Sequence, residues 1–122
     1  MSLTSRQDIR HSLPPATGLT EDDLNRFVTI NTDGEFVRAE AGEYGFPLLA
    51  VEGRQGATAA LNNKQKIVLG ATLNPGVAVT SSANGRAVAA TAGDYVNGIL
   101  LEGGAEDEVV SFLVVHFQAD TA

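Results

Sequence analysis

The chain has 122 residues, 43% of them hydrophobic but only 6% aromatic, with 13 glycines, no tryptophan and no cysteine. That length makes one domain able to bury about two-thirds of its unfolded surface. The missing cysteines exclude a disulfide framework, a cysteine zinc site and a thiol nucleophile. A net charge of −7 leaves no basic stripe for nucleic acid or an anionic membrane.

No apolar run reaches bilayer-spanning length, and the N-terminus lacks the hydrophobic core of a signal peptide, so a soluble chain is expected. In chain order, residues 1–19 are expected as an arm ahead of a single β domain over 20–122. Met1 to Thr17 carries no strand pattern. Ser5-x-x-Asp8 could cap a short helix that Pro14-Pro15 would stop, with Ile9 and Leu13 on one face and Arg6 and Arg10 on another. A helix this short does not persist alone in water, so the arm is either disordered or ordered against another chain. Thr20-x-x-Asp23 is a second capping signal and predicts one helical turn over Glu21 to Arg26, a structural plug for one end of the β body.

Strands are predicted at Phe27 to Asn31 and Phe36 to Ala39, joined by Asp33-Gly34 as a two-residue type I′ turn. That register sets Ile30 opposite Val37 and Val28 opposite Ala39, with one apolar face. Leu48 to Val51 is a further strand, with Pro47 tolerated at its start or on an edge. Gly53 to Gln65 reads as a polar, alanine-rich excursion, either a loop or one poor helical turn. Lys66 to Leu69 returns as a strand and Asn74-Pro75-Gly76 as a turn. Val77 to Ser81 and Arg86 to Ala90 then flank Asn84-Gly85, again read as type I′, with Val79 opposite Ala90 and Ser81 opposite Val88. The reverse face, Ala78, Thr80, Ala87 and Ala89, would be smooth enough for another backbone to approach. Tyr95 to Leu101 and Val109 to Phe117 complete eight strands. The last is apolar on both sides, which places it centrally in a sandwich or against a neighbouring subunit.

Two stretches repeat one another without a gap. Val28 to Gly53 superposes on Val79 to Gly104 when Gly34 falls on Gly85, an offset of 51 residues. Val28/Val79, Thr29/Thr80, Gly42/Gly93, Tyr44/Tyr95 and Gly53/Gly104 are among the identities. They fall on turn glycines and alternating apolar positions, where backbone geometry constrains the residue most. The expected fold is therefore all-β, a small eight-stranded barrel or sandwich built from an internal duplication, with halves at about 27–70 and 77–117.

Catalytic patterns are missing. His11 and His116 are isolated in sequence, and there is no nucleophile elbow, no H-E-x-x-H and no phosphate-binding loop with its lysine. The acids Glu102, Glu106, Asp107 and Glu108 read as solvated rather than as a calcium loop. Tyr44 and Tyr95 read either as packing residues that close each barrel end or as an exposed stacking platform, and their symmetry favours packing. The expectation is no enzyme, no cofactor and no metal.

Gly76-Val77-x-Val79, Asn84-Gly85-x-x-Val88-x-Ala90, Ala92-Gly93-Asp94 and Gly98-Ile99-x-Leu101-Glu102, ending in an acid-Val-Val strand, resemble the capsid cement (head decoration) proteins of tailed bacteriophages. The likeness covers Val28 to Phe117. It implies a homotrimer on the outer surface of the phage head that staples neighbouring major capsid protein subunits, with the N-terminal arm extended over the capsid. On that reading Leu3, Ile9 and Leu13 supply apolar docking, and Arg6 and Arg10 meet capsid carboxylates. Exposed ion pairs contribute on the order of 1 kcal/mol or less each, so apolar burial must dominate and oligomerisation must multiply it. The alternative is a tail, fibre or baseplate β module that binds a receptor or glycan.

Overall fold

A computed structural model describes residues 9–52 and 56–119. Among the described residues ten strands form in place of the eight expected: β1 Arg10–Leu13, β2 Phe27–Ile30, β3 Phe36–Arg38, β4 Phe46–Val51, β5 Ala57–Ala60, β6 Lys64–Val68, β7 Ala78–Ser81, β8 Ala87–Ala89, β9 Tyr95–Leu100 and β10 Val109–Gln118. They make two five-stranded sheets, one in the order β1-β5-β4-β2-β3 and the other β6-β10-β9-β7-β8. All the strand pairs within them are antiparallel. The second order repeats the first with each strand five places later in the chain. In each sheet a parallel bridge links the chain just past one outermost strand to the other outermost strand, Pro15 to Phe36 and Leu69 to Ala87. This architecture fits a sandwich.

The two additional strands correct the reading of the arm and of the excursion. Arg10–Leu13 pairs residue for residue with Ala57–Ala60, from Arg10 opposite Ala60 to Leu13 opposite Ala57. Neither segment carries a strand signal of its own: β1 is Arg10-His11-Ser12-Leu13, without an apolar alternation, and three of the four residues of β5 are alanine, a poor strand former. Each is extended because the other, with β4 beyond, satisfies its backbone groups. The predicted helix ending at Pro14 therefore does not form over 10–13, and its cap Ser5-x-x-Asp8 lies outside the described residues. Thr20 does cap a turn: its N–H donates to Asp23 Oδ2 at 3.0 Å while its hydroxyl accepts from Asp22 N at 3.2 Å. The turn is a short 3-10 segment, Glu21–Asp23, rather than an α turn reaching Arg26.

Both hairpins depart from the predicted register by one residue, for one physical reason. Thr29 lies opposite Val37 and Ile30 opposite Phe36; Thr80 lies opposite Val88 and Ser81 opposite Ala87. A type I′ turn needs positive φ at both central residues, but only Gly34 (78°) and Gly85 (82°) adopt it, not Asp33 or Asn84. Asn31 Oδ1 accepts the N–H groups of Asp33 (3.0 Å) and Glu35 (2.9 Å). Ser82 Oγ does the same for Asn84 (3.3 Å) and Arg86 (3.0 Å). These side chains template a three-residue loop with glycine last, the other common hairpin connection. Ile30 is exposed at the end of β2, and the slip breaks the expected small-residue face, because Ala87 shares a rung with Ser81 and is buried.

Each sheet carries its own core. Leu19, Val28, Phe36, Leu48, Ala57 and Ala59 form one cluster. The other gathers Ile67, Leu69, Val79, Ala87, Leu100, Val110 and Phe112 with Phe27 and Ala39 from the first half. Phe27 is the tie between halves: its ring meets Phe112 edge-on at 5.8 Å, and its N–H donates to Gly85 O at 2.7 Å. β10 shows the two-faced character expected of it. Val110 and Phe112 are buried, whereas Val109 and Leu113 face outward and are exposed.

Candidate functional site

The two matched tyrosines are brought together, not set apart. Each follows a turn of the same design. Glu43 Oε1 accepts from Glu40 N at 2.8 Å, and Asp94 Oδ2 accepts from Thr91 N at 2.9 Å. The turns then lean on each other, with Gly42 N donating to Ser81 O at 2.9 Å and Tyr95 N to Gly42 O at 3.0 Å. Asn97, fully buried, locks the junction: its Oδ1 accepts from Gly45 N and its Nδ2 donates to Glu43 O, both at 2.9 Å. Both Asn97 amide groups therefore find a partner across the halves, as a buried polar side chain requires.

Tyr44 and Tyr95 thus stand 6.2 Å apart, ring centre to ring centre, inclined at 76°. They remain 39% and 43% exposed, which overturns the expectation that each packs into its own end. A β-bulge between Val114 and Phe117 re-aims the end of β10 toward them. There His116 Nε2 meets Gly45 O at 2.8 Å; a carbonyl only accepts, which assigns the proton to Nε2 and leaves Nδ1 an acceptor in the neutral ring. The His116 ring lies 4.8 Å from that of Phe46. Tyr44, Phe46, Tyr95, His116 and Phe117 line a cleft of about 340 Å³. Sequence reasoning singled out the tyrosines but missed Phe46, Phe117 and Asn97. Asn97 had one visible signal, a polar residue where the first copy has Phe46.

Of the residues predicted for partner binding, Arg10 and Leu13 lie on β1 and Ile9 immediately precedes it. Leu3 and Arg6 lie outside the described residues. Ile9 is 57% exposed, with its N–H on Asn62 Oδ1 at 2.8 Å. Arg10 is exposed on β1. Leu13 is half-buried against the first core cluster. Because β1 pairs with β5 at one side of the first sheet, residues 10–13 of the expected arm belong to the β body.

The acidic loop is exposed, and it is tied down by specific bonds. Arg86 Nη1 binds Asp107 Oδ1 and lies 3.5 Å from Glu106 Oε2, and Glu108 Oε1 accepts from Ala105 N at 2.7 Å. Glu102 Oε1 accepts from Ser111 N at 2.9 Å. That backbone bond, then the Ser111 hydroxyl, and Lys66 and Lys64 more weakly, hold the Glu102 carboxyl below its ordinary range. The depressed folded value means Glu102 stabilises the fold above its unfolded pKa, and that contribution disappears as pH falls through the folded value. Glu102→Gln is accordingly expected to shrink the stability difference between neutral and acidic pH, measured by urea unfolding at several pH values. An unchanged pH slope would remove this role. Among the described residues no group of three or more histidines and carboxylates is placed to hold a metal ion.

No protein-family model matches the chain, and neither does any curated protein sequence. Among solved structures, the chain is similar in fold to the N base of the head fiber gp8.5 of bacteriophage phi29. The two share 14% sequence identity at a TM-score of 0.68, over 89% of this chain and 95% of that one.

Proposed function

We propose that this chain is a structural protein of a phage virion, one that sits on the outer surface of the head as a cement protein and has no catalytic centre. The observation that carries this reading is the fold: it follows the base of a head fiber along nearly the whole of both chains. An independent feature supports it. Leu101 (47%), Val109 (46%) and Leu113 (40%) present aliphatic side chains to solvent on β10 and at the end of β9, where a monomer gains nothing from them. Such a face suits burial against a major capsid protein or a second copy of this chain. On this reading a homotrimer multiplies modest contacts from residues 1–8 and from that face. The repeated strand order of the two sheets supports an origin by internal duplication.

The test mixes the purified chain with heads of the encoding phage stripped of outer proteins. Co-sedimentation and density on the outer capsid surface are expected, with a native mass of three chains. Loss of residues 1–8 should weaken attachment while unfolding stays cooperative. Particles that never retain the chain would overturn the proposal. A second reading, a fibre or baseplate module for a receptor or glycan, draws on the exposed aromatic cleft beside Tyr44 and Tyr95.

A further inference from the structure

The cleft has a shape that favours one kind of occupant. Tyr44 meets Phe46 at 75° and Tyr95 at 76°, and Phe46 meets His116 at 64°. Rings set near right angles make the corners of a box, not a flat strip. A pyranose stacks best on a coplanar platform, whereas a box directs several π faces at one point. The negative faces of those rings attract a compact positive group there. Charge points the same way. Glu43 and Asp94 each immediately precede a wall tyrosine, with carboxylates anchored in the adjoining turns. No lysine or arginine is among the lining residues, in a chain whose net charge is −7.

We propose that this cleft is an aromatic cage for an organic cation, a lysine or arginine side chain presented by a partner polypeptide. The polypeptide source rests on the virion-surface reading; the cation does not. The cage is built from both halves of the chain. Tyr44 and Phe46 come from the first sheet's end and Tyr95, His116 and Phe117 from the second, joined by Asn97. A partner side chain seated there would therefore bridge the junction of the halves.

The test titrates the full chain with Nα-acetyl-lysine methylamide, its arginine counterpart and its norleucine counterpart, which keeps the four-carbon stem without the ammonium. The readout is the ring resonances of Tyr44, Tyr95 and Phe117. The cationic probes are expected to shift them saturably in the millimolar range, with norleucine about tenfold weaker. Tyr95→Leu and Tyr44→Leu keep apolar bulk at exposed positions but remove a π face, and each should abolish that preference. Equal binding of norleucine would overturn the proposal in favour of a plain apolar groove. Binding of a methyl glycoside but not the cations would make the site a sugar platform, and binding only of phosphatidylcholine vesicles would make it a lipid-headgroup site. Either result also overturns it, as does silence of both cations. The outcome is separable from the capsid test: a chain that binds lysine but no particle keeps its cage and loses its proposed place on the virion.

Discussion

Gly98→Ala is expected to destabilise the protein by about 3 kcal/mol, the upper end of the range for overpacking a closed core. Gly98 sits mid-strand in β9, opposite Val79 of β7 on one side and Val114 of β10 on the other. A Cβ there would strike the Phe112 ring and would lie 2.6 Å from Leu113 O. Neither neighbour can retreat. Phe112 is fully buried and wedged edge-on against Phe27, the residue that couples the two cores. Leu113 O belongs to the backbone of β10, which the β9 and β6 ladders hold on both sides. In urea, where small proteins lose about 1–3 kcal/mol per molar, the midpoint should fall by roughly 1.5 M with an unchanged slope. Adding Phe112→Leu should relieve the ring clash and not the carbonyl clash, so the double variant should lose less than the two single losses combined. A Gly98→Ala midpoint equal to the parent's would mean that β9 and β10 do not approach this closely.

The second large effect is expected at Arg38. Asp23 is fully buried; its Oδ1 accepts from Arg38 Nε at 2.8 Å and lies 2.7 Å from Nη2, while Oδ2 closes the cap on Thr20 N. Arg38→Ala leaves that carboxylate in the interior with one backbone donor. Stranding a buried charge costs about 3–5 kcal/mol. The Arg38 side chain is 41% exposed, so water can reach its vacated position, and about 2–3 kcal/mol is expected here. Arg38→Lys should recover only part, because one ammonium cannot reproduce the two-pronged contact. Asp23→Ala loses the cap as well as the pair, a further cost of about 1 kcal/mol. The double variant should nevertheless be more stable than simple addition of the single losses predicts, which chemical denaturation of all four proteins would measure. Strict additivity would show that the pair is not coupled.

How much of this was readable beforehand depends on the range of the forces involved. The Thr20–Asp23 cap, the glycines at the hairpin loops, the two faces of β10 and the 51-residue offset all express local rules of backbone geometry and period, so the bare chain displays them. The hairpin register was misread because the deciding bonds come from side chains, Asn31 and Ser82, that compete with the turn glycine for control of loop length. β1 and β5 were invisible because alanine-rich or arm-like segments extend only when a distant partner takes up their hydrogen bonds. The aromatic cleft was hidden for the same reason. Tyr44 and Tyr95 were recognised as equivalents, but what sets them side by side is the buried amide of Asn97 holding Gly45 from 52 residues away. Periodicity within a strand says which way a side chain points. Only the long-range bonds between the halves say which side chain it meets.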